Sequence, residues 1–162
     1  MSQTAEAPAG ARLAPLEGFS IAVVGGGTMG NGIVHTFAVS GYAVTLVEVD
    51  QGRIDKALAT IRANMDRQVV KDVMPEAERD SALDRIAAST SISAAAGASI
   101  AIEAIVEDAA AKEAVFRQLD ATVGPEAILA SNTSSIPITR LAAVTRRPEK
   151  VIGMHFMNPV PV

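Results

Sequence analysis

The sequence holds two histidines, His35 and His155, and they set where acid–base chemistry near neutral pH can occur. His35 falls inside a helical pattern, whereas His155 ends an apolar run, so His155 is the candidate base. It could take the proton of an alcohol while a hydride leaves the same carbon. The alternative is a core histidine satisfied by a backbone group at a strand end, and the residues alone leave both readings open. Ser134 lies in the polar run Ser131-Asn132-Thr133-Ser134-Ser135. It could donate a hydrogen bond to a substrate oxygen, or the run could be a hydrogen-bonded turn that caps a short helix.

The second constellation is glycine-rich. Gly25, Gly27 and Gly30 have the G-x-G-x-x-G spacing, with Thr28 and Met29 between the last two. An apolar, β-branched run, Ile21 to Val24, precedes them, and a helical pattern with Met29, Ile33 and Phe37 on one face follows. A second strand, Ala43 to Val47, then ends in Glu48, eighteen positions after Gly30. This is the order of a dinucleotide-binding unit: Gly25 for the tight turn, Gly27 for close approach of backbone to a pyrophosphate, Gly30 for helix–sheet packing. The helix N-terminus supplies N–H groups and a positive dipole end to the phosphates. Glu48 could accept from an adenosine ribose and would repel a 2′-phosphate, which favours NAD over NADP. Glu107 reads either as a ribose contact or as a solvated acid ahead of a helix. Lys112 reads as a surface lysine, with a cofactor contact as the alternative.

The elements that must position these residues follow from periodicity. Ile54, Leu58, Ile61, Met65 and Val69 predict a long helix after Glu48. A second helix starts at Pro75, with Leu83 and Ile86 inward, so a helical pair is inserted after the second strand. Further strands are expected at 87–92, Ile100–Val106, Ala127–Ala130 and Val151–His155. Helices are expected at Ala109–Val123, stopped by Gly124-Pro125, and around Ile138–Val144. The alternation predicts an α/β fold, a doubly wound, mainly parallel, Rossmann-like sheet with its ligand sites beyond the C-terminal strand ends. Gly25–Gly30, Glu107, the Ser/Thr run and His155 all fall there.

Composition bounds the rest. The chain has 162 residues, 49% apolar but only 3% aromatic, so one domain with an aliphatic core is expected. A net charge of −4 with scattered basic residues argues against a nucleic-acid partner. The absence of cysteine excludes disulfides and thiol chemistry. No His/Asp/Glu cluster has metal-ligand spacing, so no metal is expected. No apolar run approaches the roughly 18 residues of a membrane helix. Residues 1–17 lack signal-peptide features and are expected to be a mobile Ala/Pro-rich extension of a cytoplasmic protein.

VVGGGTMGNGI, EAIVEDAAAKEAVF, ILASNTSSIPIT and RPEKVIGMHFMNPVPV, in this order, resemble the L-3-hydroxyacyl-CoA dehydrogenases over residues 18–162. The likeness is strongest to the bacterial 3-hydroxybutyryl-CoA enzymes. It implies NAD-dependent, reversible oxidation of an L-3-hydroxyacyl-CoA to the 3-ketoacyl-CoA in fatty acid metabolism. By this resemblance His155 matches the catalytic base, Ser134 the serine on the reacting oxygen and Asn158 an asparagine lining the substrate site. Glu107 and Lys112 match cofactor contacts, and the glycines with Glu48 match the adenosine-diphosphate positions. The family's orienting glutamate, about a dozen residues beyond the histidine, falls outside these 162 residues, as does its helical C-terminal domain. The chain is therefore expected to be the cofactor-binding part of the enzyme, an acyl-CoA its substrate and a homo-oligomer, a dimer in the family, its assembly. A non-catalytic NAD-binding module and a dehydrogenase of non-CoA 3-hydroxyacids are the alternatives.

Overall fold

The structure, a computed structural model, describes residues 14–161. Most of the expected N-terminal extension lies outside the described residues. Six strands, β1 (Ser20–Val24), β2 (Ala43–Val47), β3 (Ile86–Ser89), β4 (Ile100–Glu103), β5 (Ile128–Ser131) and β6 (Val151–Gly153), form one sheet in the order β3-β2-β1-β4-β5-β6. Every pairing is parallel. Helices α1 (Thr28–Val39), α2 (Gln51–Val70), α3 (Glu76–Asp84), α4 (Ala109–Thr122) and α5 (Ile138–Ala142) connect them.

The apolar runs are strands buried on both faces. Ile21, Val23, Val44, Leu46, Ile100 and Ile102 point to one face, where they pack with Ile33, Ile61 and Met65 from α1 and α2. Ala22, Val24, Ala101 and Leu129 point to the other, against Phe116, Leu119 and Leu141 from α4 and α5. Successive strand residues alternate between the two cores, which is why both must be apolar. Helix α2 opens at Asp50, whose side chain accepts the Arg53 N–H at 2.9 Å, an N-cap. The pair α2–α3 is the insertion expected after β2.

Several boundaries differ from those expected. Ile86, expected on the inner face of α3, instead opens β3 opposite Val44; Val44 N–H donates to the Arg85 carbonyl, so pairing begins earlier than 87. Pro75 is the N-cap of α3, one residue before its first turn. Strands β4 and β6 stop at Glu103 and Gly153 rather than at Val106 and His155, because the chain beyond them turns to side-chain partners.

Candidate active site

The glycine turn leaves β1 at Gly25, whose φ of 98° is the left-handed region open to glycine. A Cβ there would also lie 2.7 Å from the Ala104 carbonyl oxygen. At Gly30 a Cβ would fall 1.7 Å from the Gly25 carbonyl oxygen, so this glycine is what lets α1 begin against the end of β1. At Gly27 a Cβ would meet nothing. Gly27 is also the N-cap of α1, no side chain caps that end, and its first turn holds no acid. Thr28 and Met29 thus open a twelve-residue helix whose N-terminus faces solvent-accessible space, a fit for a phosphate.

Glu48 follows β2 and braces this turn. One carboxylate oxygen accepts the Gly26 N–H at 2.8 Å and the other the Val49 N–H at 2.9 Å. A carboxylate has about four acceptor positions, so capacity remains for ribose hydroxyls. Beside it, a cleft of about 730 Å³ opens between the ends of β1 and β4, where the strand order reverses. Val24, Val47, Ile105 and Val115 give it apolar walls suited to a flat ring, and Glu48 and Arg53 sit at its edge. The residues fit a dinucleotide.

Beyond β4 lies a buried charge cluster. Glu103 is 0% exposed and Lys112 is 1% exposed, so the reading of Lys112 as a surface lysine is overturned. Lys112 Nζ donates to a Glu103 oxygen at 2.6 Å, and the Ile105 N–H donates to that same oxygen at 2.7 Å. The Ser131 hydroxyl donates to the second at 2.6 Å. Turning Ile105 N–H toward a side chain is what ends β4 early. Such a buried pair is tolerable only because each charge is fully hydrogen-bonded.

Lys112 also reaches Glu107, at 3.3 Å. The other Glu107 oxygen gathers the Ser/Thr run: it accepts the Thr133 hydroxyl, the Ser134 N–H at 3.1 Å, and the Ser135 N–H and hydroxyl at 3.1 and 2.9 Å. Burial pushes the Glu107 carboxyl up, but the bonds from Thr133, Ser135 and Lys112 outweigh it and bring it down to about 2. Glu107 is therefore no free solvated acid; Asp108 is the residue that caps α4, accepting the Ala111 N–H at 2.8 Å. Nor does the run cap α5, whose N-cap is Pro137. It is a turn tied to Glu107, with Ser134 exposed at its tip.

His155 follows β6. That strand is anchored by Arg146 and Arg147, which both bond the buried Asp120 carboxylate on α4, at 3.0 and 2.7 Å. His155 is exposed, so the core-histidine reading is overturned. His35 is 2% exposed on α1, bonded to Gln68 at 3.2 Å, and burial lowers its pKa against the smaller opposing effect of Gln68. Gly32 completes the arrangement: a Cβ there would lie 2.8 Å from Val160 Cβ, so its absence lets the segment after His155 cross α1.

Ser134, His155 and Asn158 line one cleft of about 470 Å³, with Thr28, Met29 and Glu107 on its other walls. Gly25 and Glu48 instead line the neighbouring apolar cleft, and Gly27 borders both. Lys112 lies beneath the two clefts and touches them through Glu107 and the Ile105 carbonyl. Sequence reasoning missed Glu103, Asn132, Gly32 and Arg53. For Glu103 a signal existed: an acid in an apolar strand and a lysine on the apolar side of α4 form a complementary inward pair.

The arrangement has relatives. The model of the family described as 3-hydroxyacyl-CoA dehydrogenase, NAD binding domain, matches residues 20–162. Over 142 residues the chain is 48% identical to the 3-hydroxybutyryl-CoA dehydrogenase of Bradyrhizobium diazoefficiens, covering 88% of this chain and 48% of that protein. It is 46% identical to a probable 3-hydroxybutyryl-CoA dehydrogenase of Bacillus subtilis, covering 88% of this chain and 50% of that one. The crystal structure of an (S)-3-hydroxybutyryl-CoA dehydrogenase from Ralstonia eutropha superposes with a TM-score of 0.86 at 46% identity, over 88% of this chain and 50% of that chain. The chain spans about half the length of these relatives.

Proposed function

This chain belongs to the family of 3-hydroxyacyl-CoA dehydrogenase NAD-binding domains, and from that premise we propose that it is the cofactor-binding part of an enzyme that reversibly oxidises an L-3-hydroxyacyl-CoA to the 3-ketoacyl-CoA. The observation that carries the reading is the convergence of Ser134, His155 and Asn158 on one cleft beside the helix that opens at Thr28. NAD supplies the hydride acceptor. Gly25, Gly27, Thr28, Met29, Gly30 and Glu48 hold its adenosine diphosphate, and Glu107 with Lys112 holds the part nearer the reaction. Ser134 donates to the oxygen on the reacting carbon, and His155 takes the hydroxyl proton as the hydride leaves. Asn158 helps seat the substrate. The polar groove lined by Asn31, Arg53, Lys56 and Asn64 reaches from Glu48 to Asn158, and its two basic side chains suit the anionic end of a CoA ester.

In this reading residues 18–162 are the NAD-binding domain. A helical domain elsewhere in the enzyme completes the acyl site and the homo-oligomer, and the enzyme works in the cytoplasm. Exposed Val70, Val73, Val106 and Met157 are apolar surface that such partners would cover.

The purified chain is first titrated with NADH and with NADPH. It is then assayed for acetoacetyl-CoA-dependent NADH oxidation, alone and coexpressed with the helical domain of a relative. NADH is expected to bind more tightly than NADPH, because Glu48 repels a 2′-phosphate. Turnover should fall about a thousandfold in His155→Ala with NADH affinity unchanged. Binding without turnover in either setting would instead favour a non-catalytic NAD-binding module, and no NADH binding would sink both readings.

A further inference from the structure

Asn132 lines the cleft beside His155 but has no role in the proposed chemistry. Strand β5 ends at Ser131 and β6 at Gly153, the last residues in register. One more backbone bond follows, from the Met154 N–H to the Ser131 carbonyl at 2.9 Å. The two strands then part: the Asn132 N–H turns the other way, to the Glu103 carbonyl at 2.9 Å. The Asn132 side chain crosses the gap, its Oδ1 accepting the Phe156 N–H at 2.8 Å. The Phe156 ring is held in turn on Phe37, with centroids 6.1 Å apart and planes at 77°.

His155 thus lies between two pinned amides, Met154 and Phe156. Among the described residues no side chain bonds its ring, so the described contacts place the imidazole only through its backbone. A third backbone rung would hold that backbone only by continuing the strand, which would close the cleft. A side-chain oxygen supplies the rung and leaves the cleft open.

We propose that Asn132 is a positioning residue for His155, its carboxamide oxygen standing in for the next rung of the β5–β6 ladder. This rests on the reading of His155 as the base, and the same geometry explains why an asparagine stands at this place. Serine is too short to reach Phe156, glutamine adds a rotatable bond, and aspartate keeps the acceptor.

The test is nuclear magnetic resonance on the purified chain, which reads the ring whether or not the chain turns over. In Asn132→Ala and Asn132→Gln the Phe156 amide is expected to exchange about tenfold faster or more. The His155 ring signals should shift and broaden while those of buried His35 stay put. In Asn132→Asp the Phe156 amide regains its wild-type protection. Far-ultraviolet circular dichroism serves as the check on folding and should be unchanged throughout. Unchanged Phe156 exchange and unchanged His155 signals in the alanine and glutamine variants would overturn the proposal. So would failure of aspartate to restore the amide. A His155→Ala chain with undiminished turnover would overturn the functional reading instead, leaving the positioning result intact.

Discussion

Glu107 is the residue on which the exposed part of the site hangs. Its side chain is 38% exposed, yet one of its oxygens takes four donors from Thr133, Ser134 and Ser135. With the carboxyl brought down to about 2 from an ordinary 4.5, the unfolded chain takes up the proton first as pH falls. Its stabilising contribution is therefore complete above about pH 4.5 and is lost between there and about pH 2. Partial exposure keeps the effect modest. Thermal unfolding followed from pH 5 to pH 2 should show a shallower acid limb in Glu107→Gln than in wild type, and identical limbs would remove Glu107 as the anchor of this turn. At this scale the sequence was partly legible. A polar run after a strand signals a turn, but which acid it binds depends on β4 and β5 lying side by side, a contact across 26 positions for Thr133. Lys112 was misread for the same reason: burial of a lysine depends on the acid it meets, and Glu103 stands on a different element.

The glycine turn and α1 make the clearest case at the scale of elements. Gly27 and Gly30 belong to one motif, but their surroundings differ. A methyl at position 30 collides with the carbonyl of Gly25, whereas one at position 27 enters open space. Gly27→Ala is therefore expected to leave the melting temperature within about 2 °C of wild type while weakening NADH at least about tenfold, because in the proposed binding mode the cofactor phosphates would lie against the backbone there. Gly30→Ala should lower both, since α1 must move to admit the methyl. Calorimetry alongside an NADH titration separates the two; equal stability losses would mean that Gly27 is structural. The strands, the helical pair and the sheet class were all readable from periodicity, because each rests on residues close in sequence. The ends of β4 and β6 were not. Ile105 and Phe156 give their N–H groups to side chains of Glu103 and Asn132, and no local pattern marks such an exchange.

The two cores share one sheet, and that governs how the whole molecule comes apart. Phe116 is fully buried on the α4 side, while Tyr42, the only tyrosine in a sequence without tryptophan, packs with Phe19 and Phe37 on the opposite side. Phe116→Ala should cost about 3–5 kcal/mol. Tyr42 fluorescence and far-ultraviolet circular dichroism are expected to shift together to the same lower urea midpoint. A Tyr42 transition left in place would mean that the layers unfold separately. The position of β1 in this sheet also has a consequence in time. Its neighbours are β2 and β4, and the glycine turn is finished only when the Val24 carbonyl meets the Ala104 N–H. On a ribosome β1 emerges first of the six, yet one flank stays bare until β4 has been made. The glycine turn is thus begun early and completed late, and until β4 emerges its apolar strand is the surface a chaperone would shield.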